Sequence, residues 1–238
     1  MTRSYFTCSQ PLVVGYKGEI GSFILGGLLR VMPKALDIWC VDVNETREEV
    51  EQRIKVSDII FLCTPLQLTV EWLLEHRALI GNKPVIEQCS LKEWLFENDT
   101  LKDMDIRSMH ILFRPSQTPN KEDRRVGLIK GHFSALLAQN IAEITQSSIV
   151  WFDDAGGHDR EMAIQQALLH RSLLILGRAL KSCKGSTYIS QKVIELETRI
   201  RKGNKDLYGR IQENKYLPEA LNKLKKDFED FKLDDFWK

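Results

Sequence analysis

Up to about residue 153 the chain alternates short β-rich apolar runs with stretches of helical periodicity, and this alternation limits the folds open to it. "PLVVG" reads as a first strand and "GEIGSFILGGLLRVM" as a helix. "LDIWCVDVN" is a second strand, followed by the charged helix "ETREEVEQRIKV". "SDIIFLCTP" is apolar after Asp58, as expected of a strand covered on both faces. The helical "LTVEWLLEHRAL" then leads to strand-like "KPVIEQCS" and "RSMHILFRP". "VGLIKG", a helix through "SALLAQNIAEI", and "SIVWFD" complete the series. Strands alternating with helices imply right-handed crossovers and a mainly parallel, doubly wound α/β sheet.

After "DDAGG" the periodicity is helical throughout. A long pattern runs from His158 to about Lys184, and "SQKVIELETRI", "KDLYGRIQENK" and "LPEALNKLKKDFEDF" follow. Pro218 suits a first helical turn. "EDFKLDDFWK" carries exposed charges among aromatics. The expected organisation is an α/β domain over 1–154 and an all-helical domain over 155–238, the second also forming a homodimer interface.

Charge and composition narrow the partners. A net charge of +1 gives no electrostatic reason to expect nucleic acid or an anionic membrane. No apolar run is long enough to span a bilayer. The first ten residues lack the pattern of a secretory signal. Cys8, Cys40, Cys63, Cys89 and Cys183 show no C-x-x-C spacing, so no metal cluster is expected, and a reduced cytoplasmic setting is the simplest expectation.

Gly15, Gly18 and Gly21 stand between the first strand and the first helix. A dinucleotide loop needs small residues there, so that backbone N–H groups approach a pyrophosphate at the helix N-terminus. "GYKGEIG", with Glu19 and Ile20 opening the helix, has nearly that pattern, but Tyr16 falls where G-x-G-x-x-G has its first glycine. Its Cβ is expected to stiffen the turn. Asp42 ends the second strand, where an acid holds the ribose hydroxyls and repels a 2′-phosphate, so NAD is expected over NADP. Arg47, one turn into the next helix, softens that preference. Thr64 and Pro65 fall at the carboxyl edge of the third strand, where ligands sit in such sheets. A plain β–α turn and a solvated strand end are the competing readings.

Ser90 and Lys92 follow the fourth strand, and His110 ends the fifth. A histidine beside a hydroxyl and a nicotinamide suits alcohol oxidation, because imidazole accepts the hydroxyl proton as hydride leaves the same carbon. Spacing alone equally allows a strand-end histidine bonded to backbone.

In order and spacing, "VVGYKGEIGSF", "SDIIFLCTPLQLTVEWL", "EQCSLKEWL", "SMHILFRP" and "GHDREMAIQQALLHRSLLILGRAL" resemble the prephenate/arogenate dehydrogenases of tyrosine biosynthesis. The resemblance implies a Rossmann-like nucleotide-binding domain and a helical dimerisation domain. It implies NAD-dependent oxidative decarboxylation of prephenate to 4-hydroxyphenylpyruvate, or of arogenate to tyrosine. His110 would take the hydroxyl proton, and Ser90 would hydrogen-bond to His110 or to the substrate hydroxyl. His170 and Arg199 would face the substrate, Arg199 binding a carboxylate. The family's His-Asp pair falls at His158 and Asp159, which alone would read as cap residues of a helix start.

The departures lie at the site. Tyr16 is one. Ile111 replaces a proline after the histidine, and Arg114 replaces a glycine before Pro115, placing a cation near a substrate carboxylate or cofactor phosphates. Gln166 and Ala167 stand where many members have Ser and His. A modified cyclohexadienyl substrate, another small hydroxy or imino acid, and a non-catalytic nucleotide-binding dimer are the alternatives.

Overall fold

The computed structural model describes residues 10–32, 37–118, 120–203 and 205–231. The chain divides into two compact units, Met1–His158 and Asp159–Lys238. The division falls inside a helix, four residues beyond the boundary expected at "DDAGG".

In the first unit, strands β1 (Pro11–Val14), β2 (Trp39–Val41), β3 (Ile59–Leu62), β4 (Val85–Glu87), β5 (Ile106–Ile111), β6 (Arg125–Ile129) and β7 (Ser148–Phe152) form one seven-stranded sheet. Its order is β2-β1-β3-β4-β5-β6-β7, so the connections leave β1 in opposite directions and the switch point lies between β1 and β3. Helices α1 (Glu19–Val31), α2 (Arg47–Val56), α3 (Leu66–Ile80), the short α4 (Glu93–Phe96) and α5 (Ala135–Thr145) connect them.

Alternating strand residues feed two cores. Leu12, Val14, Ile60 and Leu62 pack with Val50 and Ile54 of α2 and Leu73 and Ile80 of α3. Val13, Phe61 and Ile86 pack on the other face with Ile24 and Leu28 of α1 and Ile141 and Ile144 of α5. Both faces of the central strands are therefore dry, as the apolar run at Asp58 onward requires. The α1–α5 crossing is close: a Cβ at Gly27 would overlap the carbonyl oxygen of Ile144.

All strand pairs are parallel except β5–β6, where Met109, His110 and Ile111 lie opposite Leu128, Gly127 and Val126. Sequence patterning does not show this reversal. Among its described residues the link from β5 to β6 holds two 3₁₀ turns, Pro115–Gln117 and Lys121–Asp123, and no longer helix to carry the chain back for a parallel pair.

The helical run expected from His158 is interrupted. Helix α6 (Ala155–Met162) passes into a π-helical turn, Ala163–Leu168, before α7 (Leu169–Lys181). The wider turn loosens the backbone ladder, and Gln212 Nε2 donates to the Ala167 carbonyl at 2.8 Å from a different helix. The second unit adds α8 (Tyr188–Lys202), α9 (Lys205–Gln212) and α10 (Leu217–Asp230); the aromatic tail beyond Phe231 lies outside the described residues.

Helices α7 and α8 meet over Gly177, whose Cβ would lie 2.5 Å from the side chain of Glu197. Glu197 is buried and receives Lys181 Nζ at 2.5 Å, together with Arg201. Hydrogen bonds from Lys181 and Arg201 hold its carboxyl at about 2, below the ordinary 4.5. Because the folded form resists protonation, this stabilisation is complete above 4.5 and lost as pH falls toward 2. Glu197→Gln should lower the urea midpoint at neutral pH, and its deficit against wild type should shrink over that interval. A deficit that stays constant with pH would contradict the assignment.

Candidate active site

The tight turn after β1 belongs to Gly15. Its φ is +78°, and a Cβ there would sit 2.6 Å from the Cys63 carbonyl oxygen at the end of β3. A Cβ at Gly21 would overlap the Gly15 carbonyl, so α1 rests directly on the turn. Gly18 is the N-cap of α1 with no side-chain cap, which leaves the first-turn N–H groups without a side-chain acceptor at that position. The expected stiffening by Tyr16 is corrected by this geometry. Among the described non-glycine residues only Gln146 has positive φ, so the strained bend falls one residue before Tyr16, whose ring packs against the α1-side core. The loop is G-x-x-G-x-x-G, with one residue more than the fingerprint.

At the switch point a cavity of about 380 Å³ is lined by Gly15, Val41, Asp42, Glu45, Val50, Thr64, Leu68 and Trp72, among others. Asp42 accepts the Lys17 N–H at 2.9 Å and its neighbour Val43 N–H at 2.9 Å, so the acid is fixed between the glycine loop and the end of β2. Thr64 Oγ1 pairs with Thr69 Oγ1 at 2.8 Å, and Pro65 is the N-cap of α3. Of the expected cofactor residues, Gly15, Asp42 and Thr64 line this cavity. Ile20 instead packs in the core. Glu19 is occupied by the loop after β5: Ser116 N and Oγ donate to it at 2.9 and 2.5 Å, and Arg114 Nε at 3.0 Å. Burial pushes the Glu19 carboxyl up, but these bonds outweigh it and hold the group below the ordinary range.

His110 is buried on β5, and its Nδ1 lies 2.9 Å from His158 Nε2. Phe152 closes on His158, with ring centroids 4.9 Å apart. Burial, then His158 and then the Lys92 charge push the His110 imidazole well below its ordinary 6.5. Burial and Lys92 take His158 down to about 3. Both rings are therefore neutral at physiological pH, with one proton shared across the Nδ1–Nε2 bond. If His110 Nδ1 carries it, His110 Nε2 keeps a lone pair to accept another.

His158 was legible as a cap residue, but Asp154 does that work: its Oδ1 accepts the Gly157 N–H at 2.6 Å. The His158 imidazole reaches His110 instead. Ser90, half-buried after β4, has no hydrogen bond to His110 among the described residues; His158 takes the place expected of it.

Beneath His110 lies a second feature, of which sequence reasoning reached Lys92 but not its partner Glu87. Glu87, fully buried at the end of β4, receives Lys92 Nζ at 2.7 Å, Cys89 N at 2.6 Å and Ser108 Oγ. Lys92 Nζ also donates to the Met109 carbonyl at 2.7 Å. For Glu87 the only signal was an acid closing the apolar run "PVIE".

The remaining expected residues are scattered. The exposed Arg114 lies against Glu19 at the start of α1. His170, on α7, stacks edge-on against Tyr208 with centroids 5.0 Å apart, and its Nδ1 has no partner. Arg199 is exposed on α8. His170 and Arg199 belong to the second unit.

No family model matches the sequence, and no curated protein matches it. Solved structures do. A candidate prephenate dehydrogenase from Corynebacterium glutamicum superposes with a TM-score of 0.71 at 14% identity, over 94% of this chain and 80% of that one. A reductive aminase from Aspergillus terreus in complex with NADPH and ethyl levulinate gives 0.53 at 12% identity, covering 94% and 78%. An NADH-preferring ketol-acid reductoisomerase from an uncultured archaean gives 0.51 at 9% identity, covering 92% and 87%. The chain shares their fold. Among the described residues no helix is long and apolar enough to cross a membrane, and no group of three or more His, Cys, Asp or Glu is placed to hold a metal.

The histidine pair makes stability sensitive to acid. Unfolded, His158 takes a proton below the ordinary 6.5; folded, it resists until about 3, so stability falls as pH drops across that interval. His158→Gln retains an acceptor without a titrating ring. Its urea midpoint should fall less steeply than wild type on acidification through this range. Identical slopes would show that His158 is not held neutral.

Proposed function

We propose that the protein is a nicotinamide-dependent dehydrogenase acting on prephenate, arogenate or a close cyclohexadienyl acid. The observation that carries this reading is the neutral pair of His110 on β5 and His158 on α6, in the same unit as a turn built from Gly15, Gly18 and Gly21. The residues present fit a dinucleotide. The start of α1 at Gly18, which has no side-chain cap, suits a pyrophosphate. Val41, Val50, Leu68 and Trp72 offer an apolar slot for adenine, and Asp42 an acceptor for ribose hydroxyls. Thr64 and Pro65 stand at the same edge. When bound, the nicotinamide supplies the hydride acceptor.

Asp42, Glu45, Glu71 and Glu75 face the cavity, with Arg47 as the cation among its lining residues, itself 2.9 Å from Glu51. That balance repels a 2′-phosphate, and we assign NAD rather than NADP.

In the reaction, His110 Nε2 accepts the substrate hydroxyl proton as the carbinol carbon gives up its hydride. His158 Nε2, accepting from His110 Nδ1, supports the imidazolium that forms. The ring carboxylate leaves as carbon dioxide, and the electrons of its bond complete the aromatic ring. His110 must be neutral to begin, which burial ensures.

In the helical unit we assign Arg199 and His170 to the substrate. Arg199 carries a guanidinium suited to a carboxylate, and His170 keeps an unpartnered Nδ1. The same unit leaves Ile175, Leu176, Tyr188 and Ile189 exposed, and we assign this apolar surface to a homodimer interface.

Purified protein with NAD should form NADH, followed by absorbance, with prephenate or arogenate offered separately. His110→Asn should lower kcat on the order of 10²-fold or more. No NADH with either substrate, or full activity in the variant, would overturn the reading.

A further inference from the structure

Lys92 is 1% exposed and its partner Glu87 fully buried, a costly arrangement for two charges in a domain whose surface is otherwise rich in both signs. Their bonds are directed at one place. Glu87 gathers Lys92 Nζ, the Cys89 N–H and the Ser108 hydroxyl, tying the end of β4 to β5. Lys92 Nζ then donates to the carbonyl of Met109, the residue before His110. The Cys89 thiol continues the chain of contacts to Thr69 Oγ1 at 3.4 Å, and Thr69 bonds Thr64 at the edge of the nucleotide cavity.

We propose that the Glu87–Lys92 ion pair is a positioning device for His110, fixing the end of β5 so that the imidazole is presented to a substrate hydroxyl. This rests on the reading of His110 as the proton acceptor. Lys92 bonds Glu87 and the Met109 carbonyl next to His110, and through that carbonyl it acts on His110. An apolar pair could pack the same space. What it could not supply is a donor to the Met109 carbonyl, or a positive charge beside the two imidazoles. The groups around His110 are His158 from α6, Lys92 at the start of α4, and, one bond further, Glu87 of β4. His132 is also near, its Nδ1 accepting the Ser108 N–H at 3.3 Å. Lys92 disfavours the charged form of His110, His158 and His132 alike, in each case behind the larger effect of burial.

The test follows the histidine ring nitrogens by ¹⁵N NMR as pH is lowered through 6.5. In the wild-type chain His110 should stay neutral in a single tautomer with Nδ1 protonated. Lys92→Met alone strands the Glu87 carboxylate, so the decisive variant is the uncharged Lys92→Met/Glu87→Gln. Lys92→Gln/Glu87→Gln, also uncharged, gives the same readout with a milder change to the core, in case the first double variant does not fold. In the folded variant the His110 titration should move up toward 6.5 and its two tautomers should mix. With substrate, kcat should fall on the order of 10²-fold while KM for NAD is unchanged. A folded variant with lowered thermal stability but unaltered His110 resonances would overturn the proposal, leaving the pair a purely structural bridge. Turnover that survives His110→Asn would instead defeat the underlying reading, so the two failures are separable.

Discussion

The seating of α1 on the turn after β1 is the constraint on which the rest of the first unit depends. With the Gly15 carbonyl pressed against Gly21 and the Gly15 Cα against Cys63, no side chain fits at either glycine. The turn brings the start of a helix over the junction of β1 and β3, where the strand order reverses. From that junction the strand order β3-β4-β5 leads in short steps to His110, and each step is marked by a buried polar contact. The cavity and the histidine pair thus belong to one sheet edge rather than to separate features.

Burial decides the electrostatics there. A lone charge in this setting would be expelled, yet the structure keeps one ion pair and two neutral imidazoles side by side. The imidazoles lose their protons because the surroundings are dry and because Lys92 is already charged. Glu87 compensates Lys92 with a direct bond and further donors from Cys89 and Ser108, the condition under which a buried ion pair is tolerable. The thiols nearby are drawn the other way. Burial raises Cys63 to about 12 and Cys89 well above its ordinary value, so neither is a nucleophile.

Much of this was legible in the sequence. Apolar alternation located every strand of the sheet, and the glycines, Asp42, Thr64 and His110 fell where strand ends put them. Of what was not legible, three cases have a plain physical reason. The antiparallel β5–β6 pair depends on what a linker lacks, and a linker's missing helix has no positive signal. The placing of strain at Gly15 instead of Tyr16 depends on one extra loop residue, which spacing rules count the wrong way. The His110–His158 contact joins residues 48 apart, and the helix start that His158 alone would read as capping is capped by Asp154 instead. Ser90 shows the converse: a motif can be present in sequence while the bond to His110 comes from another side chain, His158.

The most direct test of the central claim is a crystal structure of the protein grown with NADH. The predicted result is adenine between Val41 and Trp72, ribose hydroxyls on Asp42, the pyrophosphate against Gly18 at the start of α1, and the nicotinamide toward His110. A protein that binds no NADH, or that holds it away from the β1–β3 junction, would contradict the claim and leave the glycine turn as a structural feature alone.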